Sequence, residues 1–249
     1  MHVNESLVKP SAVLDGSEVI TYSLPKTNFD LDILEPESMN LDILYEDEHL
    51  VAINKPAGLI MHPGAGQPNG TLANGLKYHF NQLSDSSGLF RPGIVHRLDK
   101  ETSGVVLIAK DNKMHSILSS QFEKREIKKE YFGITWGKWN EKEGEITDNI
   151  KRKRSDPTSY QIDNQGREAI TLYKVIKSGL YTSEVVFYPR TGRTHQIRVH
   201  AASRKYPIFG DNKYGGGENK SKGFIPEISK KLIQSFKIFK RHALHAKKI

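Results

Sequence analysis

The chain has 249 residues, a net charge of +8 and no cysteine. This length suits one large domain, or one domain with a small appendage. Without cysteine, the chain has no disulfide, no thiolate zinc site and no cysteine nucleophile. No apolar stretch is long enough to span a bilayer, and no basic and apolar leader opens the sequence. We therefore expect a cytoplasmic protein with an anionic partner.

The charge is distributed unevenly along the chain. Residues 1–50 hold two basic and eleven acidic residues, whereas residues 51–249 carry a balance of +17. A shift of this size indicates segments with separate functions. Within the first segment, residues 26–40 are acidic and predict a linker. At the other end, residues 218–249 hold nine Lys and Arg against two acids, which makes them a candidate surface for a polyanion.

Hydrophobic periodicity predicts the elements in chain order. Strands are predicted at Ser17–Tyr22, Leu41–Tyr45, Leu50–Asn54, Gly104–Ala109, Lys129–Trp136, Glu168–Ile176 and Ser183–Tyr188. Helices are predicted at Thr71–Phe80, with Thr71 as N-cap, and at Asn112–Phe122 and Thr194–Ala202. The strands do not alternate regularly with helices. This order favours a mixed α+β sheet over a doubly wound fold.

Three motifs do not support a definite chemistry. The glycine-rich loop at residues 62–70 lacks the spacing of a phosphate-binding or dinucleotide-binding loop and predicts an ordered turn. His242 and His245 have no further candidate ligands near them, so no metal site is predicted. The basic run Lys151–Arg154 fits a solvated loop and an RNA contact equally well.

One segment stands out because a single carboxylate is embedded among cations. Residues 91–104 place His96, Arg97, Asp99 and Lys100 directly before a predicted buried strand. An ordinary ion-paired loop and a catalytic carboxylate both fit this pattern. A second dense segment, residues 191–200, includes two arginines. One of them, Arg198, lies on the same predicted helix face as Thr194 and would point inward to hold a buried carboxylate ionised.

At these residues the sequence resembles a known family. The segment Pro92–Gly104, with His-Arg-Leu-Asp-Lys-Glu-Thr-Ser-Gly at its centre, resembles the signature of the RluA-type pseudouridine synthases, and Thr191–His200 resembles their later motif. Further segments agree in the expected order: 43–64, 128–131, 166–171 and 210–215. The resemblance covers residues 41–249. Within the family, His-Pro-Gly-Ala-Gly at residues 62–66 is similar to the subgroup named pseudouridine synthase D, which acts on 23S ribosomal RNA.

The resemblance implies a fold and a set of roles. The fold would be a mostly antiparallel sheet flanked by helices around a central RNA-binding cleft. Asp99 would be the essential aspartate, Arg198 its ion-pair partner and Tyr131 the tyrosine that stacks on the target base. Arg97 would enter the RNA stack in place of the base. Four further residues of the matching motifs would contact RNA: His96, Arg193, His195 and Gln196.

The implied reaction breaks the N1–C1′ bond of a uridine, turns the uracil and joins C5 to C1′. Because nothing is oxidised and no group is lost, neither a cofactor nor a metal is predicted. The uridine must leave the stack, since these atoms are inaccessible inside a helix. Asp99 would act as a nucleophile or as the base that removes a sugar proton, and the sequence does not choose between them.

The two ends depart from the family pattern. Residues 1–25 resemble only the second half of an S4 RNA-binding domain, and about 25 residues bury too little surface to fold alone. The chain also stops soon after the match to residues 241–246, where members usually continue with a strand. We therefore expect a partial S4-like segment at 1–25, a linker at 26–40 and a catalytic domain at 41–249 that lacks its last strand.

The sequence thus predicts a cytoplasmic, monomeric pseudouridine synthase of 23S ribosomal RNA, with no membrane contact and no obligate protein partner. Two alternatives remain. One is a non-catalytic or impaired protein that binds ribosomal RNA. The other is a pseudouridine synthase that acts on tRNA.

Overall fold

A computed structural model describes residues 2–4, 6–8, 15–21, 34–64 and 66–249. The chain divides into two compact units, residues 1–33 and 34–249. The first unit holds three short antiparallel strands in the order β2-β1-β3, namely β1 (His2–Val3), β2 (Ser6–Leu7) and β3 (Ile20–Thr21). The predicted strand at 17–22 corresponds to β3, although Tyr22 lies outside the described residues. The relation to an S4 domain stays a prediction.

The second unit is built on a nine-stranded sheet of order β4-β5-β6-β12-β7-β11-β10-β8-β9. The strands are β4 (Ile43–Glu46), β5 (Leu50–Lys55), β6 (Ser103–Ala109), β7 (Glu130–Trp136), β8 (Glu143–Arg152), β9 (Tyr160–Ile162), β10 (Arg167–Ser178), β11 (Thr182–Pro189) and β12 (Leu244–Lys248). β12 runs parallel to β6, and the remaining neighbours in this sheet pair antiparallel. The predicted mixed α+β sheet is confirmed.

Four α-helices accompany the sheet: α1 (Leu72–His79), α2 (Asn112–Glu123), α3 (Gln196–Ser203) and α4 (Pro226–Ile238). Local sequence explains where they begin. The backbone N–H of Thr71 donates to the Asn74 side chain at 3.0 Å at the start of α1. At α2, the Asp111 carboxylate accepts the N–H of Met114 at 2.8 Å. Both arrangements satisfy donors or acceptors that a helix terminus leaves without partners inside the helix.

The described residues form three hydrophobic clusters, two larger and one smaller. The first packs α1 against β5 and β6 and includes Val51, Leu72 and Ile108. The second joins β7, β11 and α3 and includes Trp136 and Phe187. The Tyr131 side chain packs against both clusters. These contacts place its phenol where the two halves of the core meet.

The centre of the sheet requires glycine at one position. Gly104 has φ +117°, and a Cβ placed there would lie 2.1 Å from the carbonyl oxygen of Ala246 in β12. Glycine therefore allows β12 to lie directly against β6. The Ser-Gly pair that ends the Asp99 segment thus has a structural reason, because it lets the chain pass into the middle of the sheet.

The structure differs from the sequence predictions in three places. Residues 34–40 were predicted as part of a linker, but Leu34 is buried in the first cluster and the Glu37 N–H donates to the Asn74 carbonyl. Residues 26–33 lie outside the described part of the chain. No element was assigned to β8, β9 or α4 from the sequence. The segment 244–248, expected only to precede a missing strand, itself forms β12, an interior strand of the sheet.

Candidate active site

A cavity of about 530 Å³ opens between the loop before β6 and the turn before α3. The segment before β6 carries Asp99, and the segment before and within α3 carries Arg198. All eight residues predicted for the site line this cavity: His96, Arg97, Asp99, Tyr131, Arg193, His195, Gln196 and Arg198. The fold therefore brings together two segments that are about 100 residues apart in the chain.

The cavity is electropositive. Its lining includes six Arg and Lys side chains against two acids, and these are Arg97, Arg125, Lys129, Arg190, Arg193 and Arg198 against Asp99 and Glu123. Such a concave surface attracts a polyanion. Burial lowers the pKa of Lys129, whose Nζ donates to the carbonyl of Thr191 at 3.3 Å. Lys129 was not singled out from the sequence.

Arg198 joins two carboxylates. Its Nη1 donates to Oδ2 of Asp99 at 3.1 Å, as the sequence predicted. Its Nε and Nη2 donate to the two carboxylate oxygens of Asp211 at 2.7 and 2.9 Å. A bidentate contact fixes the plane of a guanidinium and leaves its remaining edge aimed in one direction. Asp211 therefore positions Arg198, and Arg198 positions Asp99.

This triad is partly to deeply buried. Asp211 is 1% exposed and Arg198 is 6% exposed, while Asp99 is accessible to the cavity. Burial works against the charged form of Arg198, but hydrogen bonds and charges from Asp211 and Asp99 outweigh it and raise its pKa. Sequence reasoning missed Asp211. Its only signal was its place in the motif at residues 210–215.

His195 borders the carboxylate on its other side. Its Nε2 lies 3.9 Å from Oδ1 of Asp99, and its Nδ1 shares a 2.7 Å hydrogen bond with the Tyr214 hydroxyl. Burial lowers the pKa of His195, which keeps the ring neutral near pH 7 despite the nearby Asp99 charge. The residue has φ +57° and precedes the first turn of α3. Such a conformation is uncommon for residues other than glycine.

Tyr131 lines the cavity from β7. Burial raises its pKa, and the Asp99 charge raises it further. The phenol therefore stays protonated at neutral pH and can donate a hydrogen bond. Because its ring packs against both core clusters, the side chain is held in place in the wall of the cavity that it shares with Asp99.

Two residues predicted to contact RNA, His96 and Gln196, form hydrogen bonds within the protein instead. The Nε2 of His96 accepts the N–H of Leu107 at 2.8 Å, and its ring stacks on Phe122. Burial lowers the pKa of His96 to about 3, so the ring is neutral. The Gln196 amide accepts from the Thr191 hydroxyl at 2.6 Å and donates to the Ile170 carbonyl at 3.0 Å. These contacts indicate that His96 and Gln196 hold neighbouring segments of the protein in place. Direct RNA contact by either residue stays a prediction.

The remaining two predicted residues are arginines of the cavity lining, Arg97 and Arg193. Arg97 is exposed next to Asp99. Arg193 donates through Nε to the Glu168 carbonyl at 2.9 Å, at an exposed position. Both guanidinium groups lie at the cavity, and phosphates are the groups that such side chains bind most readily.

A buried lysine supports the Asp99 loop. The Nζ of Lys55 donates to the carbonyls of Pro56 and Leu59 at 2.8 Å and to that of Lys100 at 3.1 Å. The side chain is fully buried, and burial lowers its pKa to about 8. Three donors satisfy three carbonyls only while the amine is protonated. Lys55 thereby links the end of β5 to the residue next to Asp99.

Within the described residues, no group of three or more histidine or acidic side chains is arranged to hold a metal ion. The helices of the same residues include none with the length and apolar character needed to cross a membrane.

Comparisons with known proteins give one consistent result. The profile of the RNA pseudouridylate synthase family matches residues 49–203. A protein of Aquifex aeolicus named as an uncharacterized RNA pseudouridine synthase is 42% identical over 219 residues, which cover 86% of this chain and 68% of that protein. Ribosomal large subunit pseudouridine synthase D of Buchnera aphidicola is 40% identical over 245 residues, which cover 98% of this chain and 75% of that protein.

A solved structure agrees with the sequence relatives. Human RNA pseudouridylate synthase domain containing 1 matches with a TM-score of 0.62 at 27% identity, covering 85% of this chain and 79% of that one. The predicted family resemblance is thus confirmed by a family profile, by curated relatives and by a fold. The carboxylate beside Arg198 lies within the residues that the family profile matches, and the chain belongs to the RNA pseudouridylate synthases.

Proposed function

We propose that this protein isomerises uridines of 23S ribosomal RNA to pseudouridine in the cytoplasm, acting as a monomer with Asp99 as the catalytic residue. The observation that carries the proposal is that buried Asp211 orients Arg198, which in turn holds Asp99 at a basic cavity. An ordinary ion-paired loop does not need a second carboxylate to aim the arginine. The choice of substrate is supported by the name of the Buchnera relative, which specifies the ribosomal large subunit.

The cations of the cavity would capture the RNA backbone. Phosphate contacts supply most of the affinity of proteins for nucleic acids. The target uridine then leaves its stack, at a cost of a few kcal/mol. Arg97 is exposed at the mouth of the cavity and is suited to fill the space that the base leaves.

Inside the cavity, Asp99 would act on the flipped nucleotide. The N1–C1′ bond breaks, the uracil turns, and a C5–C1′ bond forms while the hydrogen at C5 is released and N1 gains a proton. Asp99 takes part as nucleophile or as general base. Arg198 holds Oδ2 of Asp99, so that Oδ1, which lies beside His195, would be the oxygen left to act on the nucleotide. Fixed geometry of this kind contributes strongly to rate.

Tyr131 would lie against the uracil while it turns. Its protonated hydroxyl, kept so by burial and by the Asp99 charge, can donate to the base or relay a proton. The neutral His195 closes the opposite side without adding a charge that would compete for Asp99.

Mapping of pseudouridines in a deletion strain tests the proposal. Deletion should remove one or more sites from 23S ribosomal RNA, and the wild-type gene should restore them. Complementation with Asp99→Ala should restore none. Loss of sites from tRNA alone would contradict the assigned substrate, and loss of no site would contradict the activity.

A further inference from the structure

A second groove lies at the end of the β8–β9 hairpin and outside the site just described. It has a volume of about 770 Å³ and is lined on one side by the basic run Lys151–Arg154 and on the other by Gln161, Asn164 and Gln165. Its one acidic lining residue, Asp163, lies 4.0 Å from the Lys151 Nζ. Positive charge combined with side-chain amides is the composition that contacts phosphates and sugars.

The groove is connected to the active site through a short series of contacts. Ile150 of β8 packs with Val199 of α3, and Arg152 is two residues further on the same strand face. The Arg152 guanidinium lies 6.0 Å from the centre of the Tyr160 ring. That ring meets His195 edge-on, with the ring centres 5.4 Å apart. His195 itself borders Asp99, so Arg152 of the groove is linked to the catalytic carboxylate through the Tyr160 and His195 rings.

The hairpin is held in place relative to the cavity. The Tyr214 hydroxyl accepts the Tyr160 N–H at 3.0 Å and also bonds to His195. In the connection between the strands, the Asp156 carboxylate accepts the Thr158 N–H at 3.0 Å, and Lys213 donates to the Thr158 carbonyl at 3.2 Å. A basic surface that is fixed in this way can define where a bound strand lies with respect to Asp99.

Protection of a sheet edge is the competing explanation for these cations, since lysine on an edge strand prevents pairing between molecules. The edge strand here is β9, whose sequence Tyr-Gln-Ile carries no charge. The cations lie on β8 and in the connection instead. Lys153 and Arg154 are exposed and form no side-chain hydrogen bond or ion pair with the part of the chain that the structure describes.

The basic C-terminal stretch, residues 218–249, is a weaker candidate for binding the RNA backbone. Its Arg241 donates through Nη1 to three carbonyls, those of Glu101, His242 and Leu244, and Lys247 pairs with Glu130. Two of the cations of this stretch are therefore engaged by the protein, whereas Lys153 and Arg154 form no such contacts within the described residues.

We propose that the hairpin groove binds the phosphate backbone of the substrate RNA next to the flipped uridine, and thereby sets which nucleotide enters the cavity. This inference rests on the proposed function for the identity of the RNA. Lys153 and Arg154 contact phosphates, and Arg152 lies between them and the cavity.

The test uses the full chain and a 23S ribosomal RNA transcript labelled with tritium at C5 of uracil. Formation of the C5–C1′ bond displaces this hydrogen, so released tritium reports product. The double variant Lys153→Gln/Arg154→Gln should raise KM about tenfold with kcat within twofold. The salt dependence of binding should also weaken, by about 0.7 in slope for each lost phosphate contact on a single strand.

A matched control removes two exposed charges elsewhere. Lys174→Gln/Lys177→Gln lies on β10, outside both the hairpin groove and the cavity, and should leave both KM and the salt slope at wild-type values. Equal KM values for the hairpin variant and the wild type would overturn the inference, as would equal weakening by both double variants.

Binding measured in an Asp99→Asn background separates the two proposals. There, the hairpin variant should weaken binding of the same transcript about tenfold, whether or not turnover occurs. If the wild-type enzyme released no tritium, the proposed function would fail, and the binding result would still decide the role of the groove.

Discussion

The active-site cavity and the hairpin groove are both basic, but their cations are held in opposite ways. Arg198 is 6% exposed and is committed to two carboxylates. Lys153 and Arg154 are exposed and contact solvent. A cation that must direct a reacting group is fixed by protein partners, whereas one that binds a polyanion is left available. Because buried charges interact more strongly than exposed ones, the two regions should respond very differently to loss of a charge.

Loss of the buried arginine should have the largest effect on stability. Arg198→Met leaves Asp211 buried without its partner, which should lower the free energy of unfolding by about 3–5 kcal/mol. The double variant Arg198→Met/Asp211→Leu removes the uncompensated charge and should recover most of that loss without recovering activity. Urea unfolding of the three proteins measures both effects. A double variant as unstable as the single one would show that the unpaired Asp211 charge does not cause the loss of stability.

A substitution at the contact between Gly104 and β12 should lower the stability nearly as much. Gly104→Ala forces a Cβ against the Ala246 carbonyl in a conformation that suits glycine, and it should cost about 3 kcal/mol of stability. Since β12 and the Asp99 loop share this contact, activity should fall with stability. A matched change, Gly192→Ala, places its Cβ in open space and should be nearly neutral. Thermal unfolding of both variants is the measurement.

Acid should weaken the buried core before it affects the exposed groove. Burial lowers the pKa of His200 and of His242 to about 4, whereas the unfolded chain has the ordinary value of 6.5. The unfolded state therefore binds protons first, and stability falls as pH drops from 6.5 towards 4. By pH 4.5 the loss should be about 2 kcal/mol for each histidine. His200→Asn should flatten the dependence of the urea midpoint on pH. An unchanged dependence would show that protonation of His200 does not cause the loss of stability in acid.

The hairpin cations should have the smallest effect on stability. Lys153→Gln/Arg154→Gln should change the free energy of unfolding by less than about 0.5 kcal/mol, because exposed side chains without partners contribute little. Differential scanning calorimetry of this variant beside Arg198→Met tests the comparison directly. A loss of several kcal/mol at the hairpin would mean that its charges are structural.

The sequence predicted the contact between Asp99 and Arg198 but not the residues that hold these two in place. Asp99 and Arg198 lie in dense motifs, and the predicted contact between them is present at 3.1 Å. Asp211 was not predicted as a partner, because nothing in local periodicity tells which distant carboxylate will meet an arginine. Lys55 was likewise quoted only within a motif. Its three carbonyl partners become visible only in the folded chain.

The predicted elements were those with continuous apolar patterns, such as β6 and α2. β8 was not predicted because only Ile146 and Ile150 are buried apolar residues in its ten positions, and the strand is held mainly by pairing with β10 and β9. β12 is a five-residue strand with the sequence Leu-His-Ala-Lys-Lys. Such short polar strands depend on their neighbours rather than on their own propensity.

The central claim is that a carboxylate aimed by Arg198 carries out the isomerisation. Single-turnover tritium release from the C5-labelled 23S ribosomal RNA transcript tests it most directly, with wild-type enzyme compared with Asp99→Asn. The substitution keeps the shape of the side chain and removes its charge. We expect the rate to fall by at least ~10⁴-fold while RNA affinity stays within a few-fold. A rate within tenfold of the wild type would contradict the account.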